Sequence, residues 1–179
     1  MEVWVQEPSS AAWIIALGAV LAGAITDVRT GRIPNWLTFS TLAAGPALHL
    51  ATSGAVGFGL SVGSILLTSL LPLFLFSKGA LGGGDVKLFA AVGGLVFFPE
   101  AVGVQLASFV LGATFGLAMA LRRGELGLLL ARTVSLAHGK TPETTLIQIR
   151  FGPAIAVGAL LVFLTGLGFD GCSRLGGAW

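Results

Sequence analysis

Two stretches organise this chain: Ala24–Asn35, AITDVRTGRIPN, and Gly82–Leu88, GGGDVKL. Each places one aspartate, Asp27 or Asp85, among turn-forming residues that interrupt long apolar runs. Acidic residues are scarce, eight in 179, so a carboxylate beside an apolar segment stands out. On insertion scales an Asp at the centre of a membrane helix costs about 2.5–3.5 kcal/mol, and less near the interface. The two motifs therefore read as turns at a membrane boundary, with the apolar runs on either side as helices.

Composition agrees. Hydrophobic residues make up 55% of the chain and charged ones 10%, with mean hydropathy +0.93. A soluble domain carries about 25% charged residues, so this chain cannot cover a water-facing surface and reads as an integral membrane protein. The 27 glycines fit, because small residues let membrane helices approach closely. The lone Cys172 excludes an internal disulfide and any zinc site built from several cysteines. The first segment carries Glu2 and Glu7 and no basic residue. That is the reverse of a signal peptide's basic start, so the first apolar run reads as a retained helix.

A bilayer core takes roughly 20 apolar residues as helix. Six spans result: Ala11–Thr26, Trp36–Thr52, Val56–Phe76, a short Asp85–Phe98, Ala101–Leu121 and Phe151–Phe169. The expected fold is all-α, one membrane-embedded domain over residues 1–179. With six alternating spans, one side holds Arg29, Arg32, Lys78, Lys87, Arg122, Arg123, Arg132, Lys140 and Arg150, and the other only Arg174. That asymmetry makes the first side cytoplasmic, puts both termini outside, and places both aspartates at the cytoplasmic boundary. Within 122–150, residues 125–137 have apolar positions at helical spacing and read as an amphipathic helix on the inner leaflet. Gly59/Gly63 and Gly112/Gly116 have GxxxG spacing, weak evidence in so glycine-rich a chain.

Asp27 is expected at or just past the end of the first helix, where free carbonyls disfavour a carboxylate. Asp85 is expected at a helix start, where free N–H groups favour one. This predicts Asp85 as the anionic base and Asp27 as the holder of a shared proton. Such a pair can activate water against a peptide carbonyl without a metal or other cofactor. Each aspartate alone would read as a solvated membrane-edge residue. Gly82, Gly83 and Gly84 permit positive φ or close approach; read blandly, they are a flexible turn. GGGDVK lacks the Lys-Ser/Thr pair of a phosphate-binding loop. Lys87 is expected on a different helix face from Asp85, as an interface snorkeller. Pro34 suits a helix start and Asn35 an N-cap. Arg29 and Arg32 read as topology charges, or as cations near a carboxylate. Gly152 and Pro153 open the sixth helix. His49 and His138 lie too far from any serine of sensible depth for a triad.

The motifs Asp27–Asn35 and Gly82–Leu88, in this order, resemble those of the type IV prepilin peptidase family, and Arg150–Ala156, RFGPAIA, resembles a third patch of it. The resemblance implies a six-helix aspartic endopeptidase with catalytic acids at Asp27 and Asp85, and with Gly82–Gly84, Lys87, Pro34 and Asn35 shaping the site. Its substrate would be a pilin-like precursor, cut at the cytoplasmic face of the inner membrane after a short basic leader ending in glycine. Lipids would be its other partner, with no nucleic acid and no metal; the sequence leaves oligomeric state open, a homo-oligomer included. Longer members carry paired CxxC motifs and methylate the new N-terminus. With one cysteine, this chain resembles the short, peptidase-only forms, such as those of Flp/Tad systems.

Presenilin-like proteases share GxGD but pair it with Tyr-Asp, and this chain has no tyrosine. Archaeal preflagellin peptidases, with similar chemistry, stay open. A transporter whose acids bind protons is the reading from another class; its site would lie near mid-membrane. Nine basic residues against Asp27, Asp85, Glu125 and Glu143 on the cytoplasmic side would repel a basic leader. Anionic headgroups, or docking near Glu125 or Glu143, would have to offset this.

Overall fold

The computed structural model describes residues 8–124, 127 and 151–165. The expected surface helix at 125–137, His138, Glu143, Cys172 and the end of the sixth span lie outside the described residues, Gly127 excepted. The described chain is helical, without strands: α1 (Ser10–Thr30), α2 (Asn35–Ser77), α3 (Gly83–Val96), α4 (Glu100–Arg123) and α5 (Gly152–Thr165). α1, α2 and α4 are long and apolar enough to cross a membrane.

Local chemistry sets the helix ends. The Ser9 hydroxyl caps α1 by accepting the Ala12 N–H at 3.2 Å. Gly31, in the left-handed region at φ 68, closes it by donating its N–H to the Asp27 carbonyl at 2.8 Å. α1 thus runs four residues beyond the expected Thr26. α2 joins the expected second and third spans, but Gly54 breaks it at φ 64 and ψ −153. Two helices meet there at a sharp kink, and only glycine adopts that conformation freely. α4 ends with Arg122 and Arg123 in its last turn, where cations suit the helix C-terminus.

α3 forms the centre. From Leu88 to Val96 every residue is buried, as expected of a helix apolar on all sides. Both halves of α2 pack on it, while α1 packs on α3 and α5, and α5 also packs on α4. A Cβ on Gly45, in the first half of α2, would lie 2.6 Å from the Gly94 carbonyl oxygen, so the two backbones nearly touch. Gly112 is likewise a close-approach position, seating the Phe151 ring, whereas Gly59 and Gly63 meet no described neighbour.

α3 has only 14 residues, about 21 Å at 1.5 Å per residue, against a hydrocarbon core of about 30 Å. Its C-terminus is therefore buried, where free carbonyls would be costly. Side chains from both halves of α2 satisfy them. His49 Nε2 donates to the Leu95 carbonyl at 2.8 Å, and Ser61 Oγ donates to that of Gly94 at 2.6 Å. Ser64 Oγ then accepts the Phe98 N–H at 2.8 Å. Gln105 Nε2 donates to the Thr68 carbonyl at 3.0 Å and ties α4 to α2. Elsewhere the bundle presents large apolar side chains outward, Leu66, Leu70, Phe74, Val110 and Phe115 among them.

Ser61→Ala strands the Gly94 carbonyl and is expected to destabilise the protein by about 1–3 kcal/mol. Ser61→Thr, which retains the hydroxyl, is expected to lose less. Thermal unfolding in detergent reads the difference, and equal melting temperatures for Ala and wild type would contradict the capping role.

Candidate active site

One pocket of about 620 Å³ opens at the end of the bundle where α1 stops and α2, α3 and α5 start. Asp27, Gly31–Asn35, Gly82–Asp85 and Phe151 line it. The two sequence motifs, Ala24–Asn35 and Gly82–Leu88, thus meet in one place. Asp27 is 7% exposed and Asp85 9%.

Asp27 lies inside the last turn of α1, not at or past its end as expected. Its side chain faces the start of α5, where Oδ2 accepts the Gly152 N–H at 3.1 Å. Asp85 is the third residue of α3, in its first turn as expected. Both carboxylates therefore sit at helix N-termini, so the contrast between opposite helix ends cannot separate their roles.

Gly82, Gly83 and Gly84 all line the pocket, and none has positive φ; in this turn Gly79 does, at φ 71. The three serve close approach instead. A Cβ on Gly82 would lie 2.9 Å from Asp85 Oδ2, one on Gly83 3.3 Å from the Phe76 ring, and one on Gly84 3.1 Å from the Ile33 Cβ.

Pro34, in extended conformation, is the N-cap of α2, and Asn35 is its first helical residue. Asn35 is therefore not the expected cap. Its Oδ1 accepts instead from Lys87 Nζ at 2.8 Å, and that ammonium lies 4.7 Å from the Phe39 ring centroid. Lys87 stands outside the lining but ties α3 to the wall formed by 31–35. Arg32 lines the pocket and Arg29 does not. His49 lies at the other end of α3, against Leu95 and Phe97, far from both acids.

Sequence reasoning did not assign Phe151 or Gly152 to the site. Phe151 packs against Phe109 and Phe89, with centroids 5.6 and 6.3 Å away, and this anchors the start of α5 beside Asp27. The signal available was the RFGP stretch, legible as a helix opening but not as a partner of Asp27.

Helices long and apolar enough to cross a membrane, with two buried carboxylates lining a pocket at one end, mark a membrane protein. Residues 14–117 match the type IV leader peptidase family, and the chain belongs to that family. Two relatives from Burkholderia pseudomallei, strains 1026b and K96243, are named "Prepilin leader peptidase/N-methyltransferase". Each is 36% identical over 119 residues, covering 62% of this chain and 38% of the relative. A protein of the same name from Bacillus subtilis is 28% identical over 159 residues, 86% of this chain and 55% of the relative. The chain thus spans about two fifths to just over half the length of these curated relatives. No solved structure matches it.

Lys87→Met removes the hydrogen bond to Asn35 and the cation over Phe39. It is expected to lower stability by about 1 kcal/mol, with Lys87→Arg losing less. Urea unfolding in detergent reads both, and an unchanged midpoint for Met would show that the tie contributes nothing.

Proposed function

We propose that the chain is a membrane aspartic endopeptidase that removes the short basic leader from type IV pilin-like precursors. The observation that carries this reading is the meeting of Asp27 and Asp85 in one glycine-lined pocket at the end of an apolar bundle. Family membership supports the reaction class.

One of the two aspartates acts as the base and the other as the acid. The ionised carboxylate takes a proton from water, and the water oxygen bonds to the scissile carbonyl carbon while the protonated carboxyl gives its proton to the carbonyl oxygen. As the tetrahedral adduct collapses, one hydroxyl proton returns to the second aspartate, the C–N bond breaks, and the proton held by the first passes to the leaving amine. Gly82–Gly84 leave room for an extended peptide backbone, while Pro34, Asn35 and, through Asn35, Lys87 hold the opposite wall.

In this reading the single domain crosses the inner membrane six times, with the kink at Gly54 separating two crossings and both termini outside. Among the described residues, Arg29, Arg32, Lys78, Lys87, Arg122 and Arg123 lie on helix ends and connections toward the pocket. Their charge favours a cytoplasmic position for that end. The precursor would approach there and the lipids surround the bundle.

Cleavage of a pilin-type precursor in membranes by wild type, Asp27→Asn and Asp85→Asn tests the proposal. Wild type is expected to cut, and each Asn variant to lose at least about a thousandfold, since each role needs a titratable proton. Precursor cutting by either well-inserted variant would overturn the assignment.

A further inference from the structure

We propose that Gly152 is a positioning residue for Asp27. Its backbone N–H orients the carboxylate, and its missing side chain leaves the volume the carboxylate occupies. The inference rests on Asp27 being catalytic.

The contact joins residues 125 positions apart and is buried. Gly152 is the first residue of α5, where a helix N–H has no intrahelical partner. Here that donor goes to Asp27 Oδ2 at 3.1 Å. A Cβ on Gly152 would lie 2.9 Å from the Asp27 Cβ, 3.0 Å from Oδ2 and 3.3 Å from the Ala24 Cα. The first and last of these belong to the framework of α1 and cannot swing aside. The carboxylate is the part free to move, so an added methyl turns it away from Asp85.

α5 cannot easily retreat. Phe151 packs against the contacting rings of Phe89 and Phe109 and is seated on Gly112. Further along, a Cβ on Gly158 would come within 2.9 Å of the Ser108 backbone nitrogen. The start of α5 is thus a fixed post with its N–H aimed at one carboxylate oxygen. Misplacing a catalytic group by about 1 Å can cost on the order of a hundredfold in rate.

The test compares Gly152→Ala with Gly158→Ala in precursor cleavage, alongside melting temperature in detergent. Gly158→Ala crowds the same helix away from the pocket. Gly152→Ala is expected to lower kcat at least about tenfold with KM within about twofold, and Gly158→Ala to keep kcat per folded molecule. Equal kcat for Gly152→Ala and wild type, or equal losses in the two variants, would overturn the proposal. If Gly152→Ala does not fold, wild type labelled with 15N-glycine and 13Cγ-aspartate decides. A dipolar coupling between Gly152 N and Asp27 Cγ in solid-state NMR supports the post, and its absence overturns it. If Asp27→Asn cuts normally, the functional reading itself fails; if Asp27→Asn is inert and Gly152→Ala is fully active, only this inference fails.

Discussion

The burial of α3 sets the rest of the architecture. A 14-residue helix is too short to carry both ends out of a hydrocarbon core, so its C-terminal carbonyls need donors at depth. His49 and Ser61 supply them from opposite halves of α2. That requirement explains the kink at Gly54: a straight α2 would place only one half beside α3. It also explains the small residues at Gly45 and Gly94, where backbones must nearly touch for such short side chains to reach. With the far end of α3 fixed this way, its first turn is held at the pocket end of the bundle, and Asp85 with it.

The site is built by converging helix ends. α3 brings Asp85, the last turn of α1 brings Asp27, and the start of α5 brings an N–H to Asp27. The connection between α1 and α2 closes a wall, tied down from outside by Lys87 through Asn35. Small residues recur because three backbones and two carboxylates share one small volume. Both carboxylates are buried there.

Much of this was legible in the sequence because it is local. Gly31 and Pro34 punctuate the chain where α1 ends and α2 begins, and the glycine run marks the start of α3 within two residues. Apolar runs gave the helices, and the break between Thr52 and Val56 appears as the single residue Gly54. What stayed hidden depends on contacts without a local pattern. Asn35 has the chemistry of an N-cap, but Lys87 reaches it from α3 and engages its side chain. His49 reads as a stray polar residue until the buried end of α3 is beside it. Helix ends are visible in sequence, but the arrival of α5 at Asp27 is not.

The central claim, that Asp27 and Asp85 face each other across one pocket, is open to a direct measurement. Cysteines at positions 27 and 85, in a chain with Cys172 replaced by Ser, can be treated with a short bifunctional thiol reagent in native membranes. The account predicts rapid internal cross-linking, and none for cysteines at 49 and 85, which lie toward opposite ends of α3. If the thiols at 27 and 85 both react with a monofunctional reagent yet never cross-link, the acids do not share a site, and the account fails.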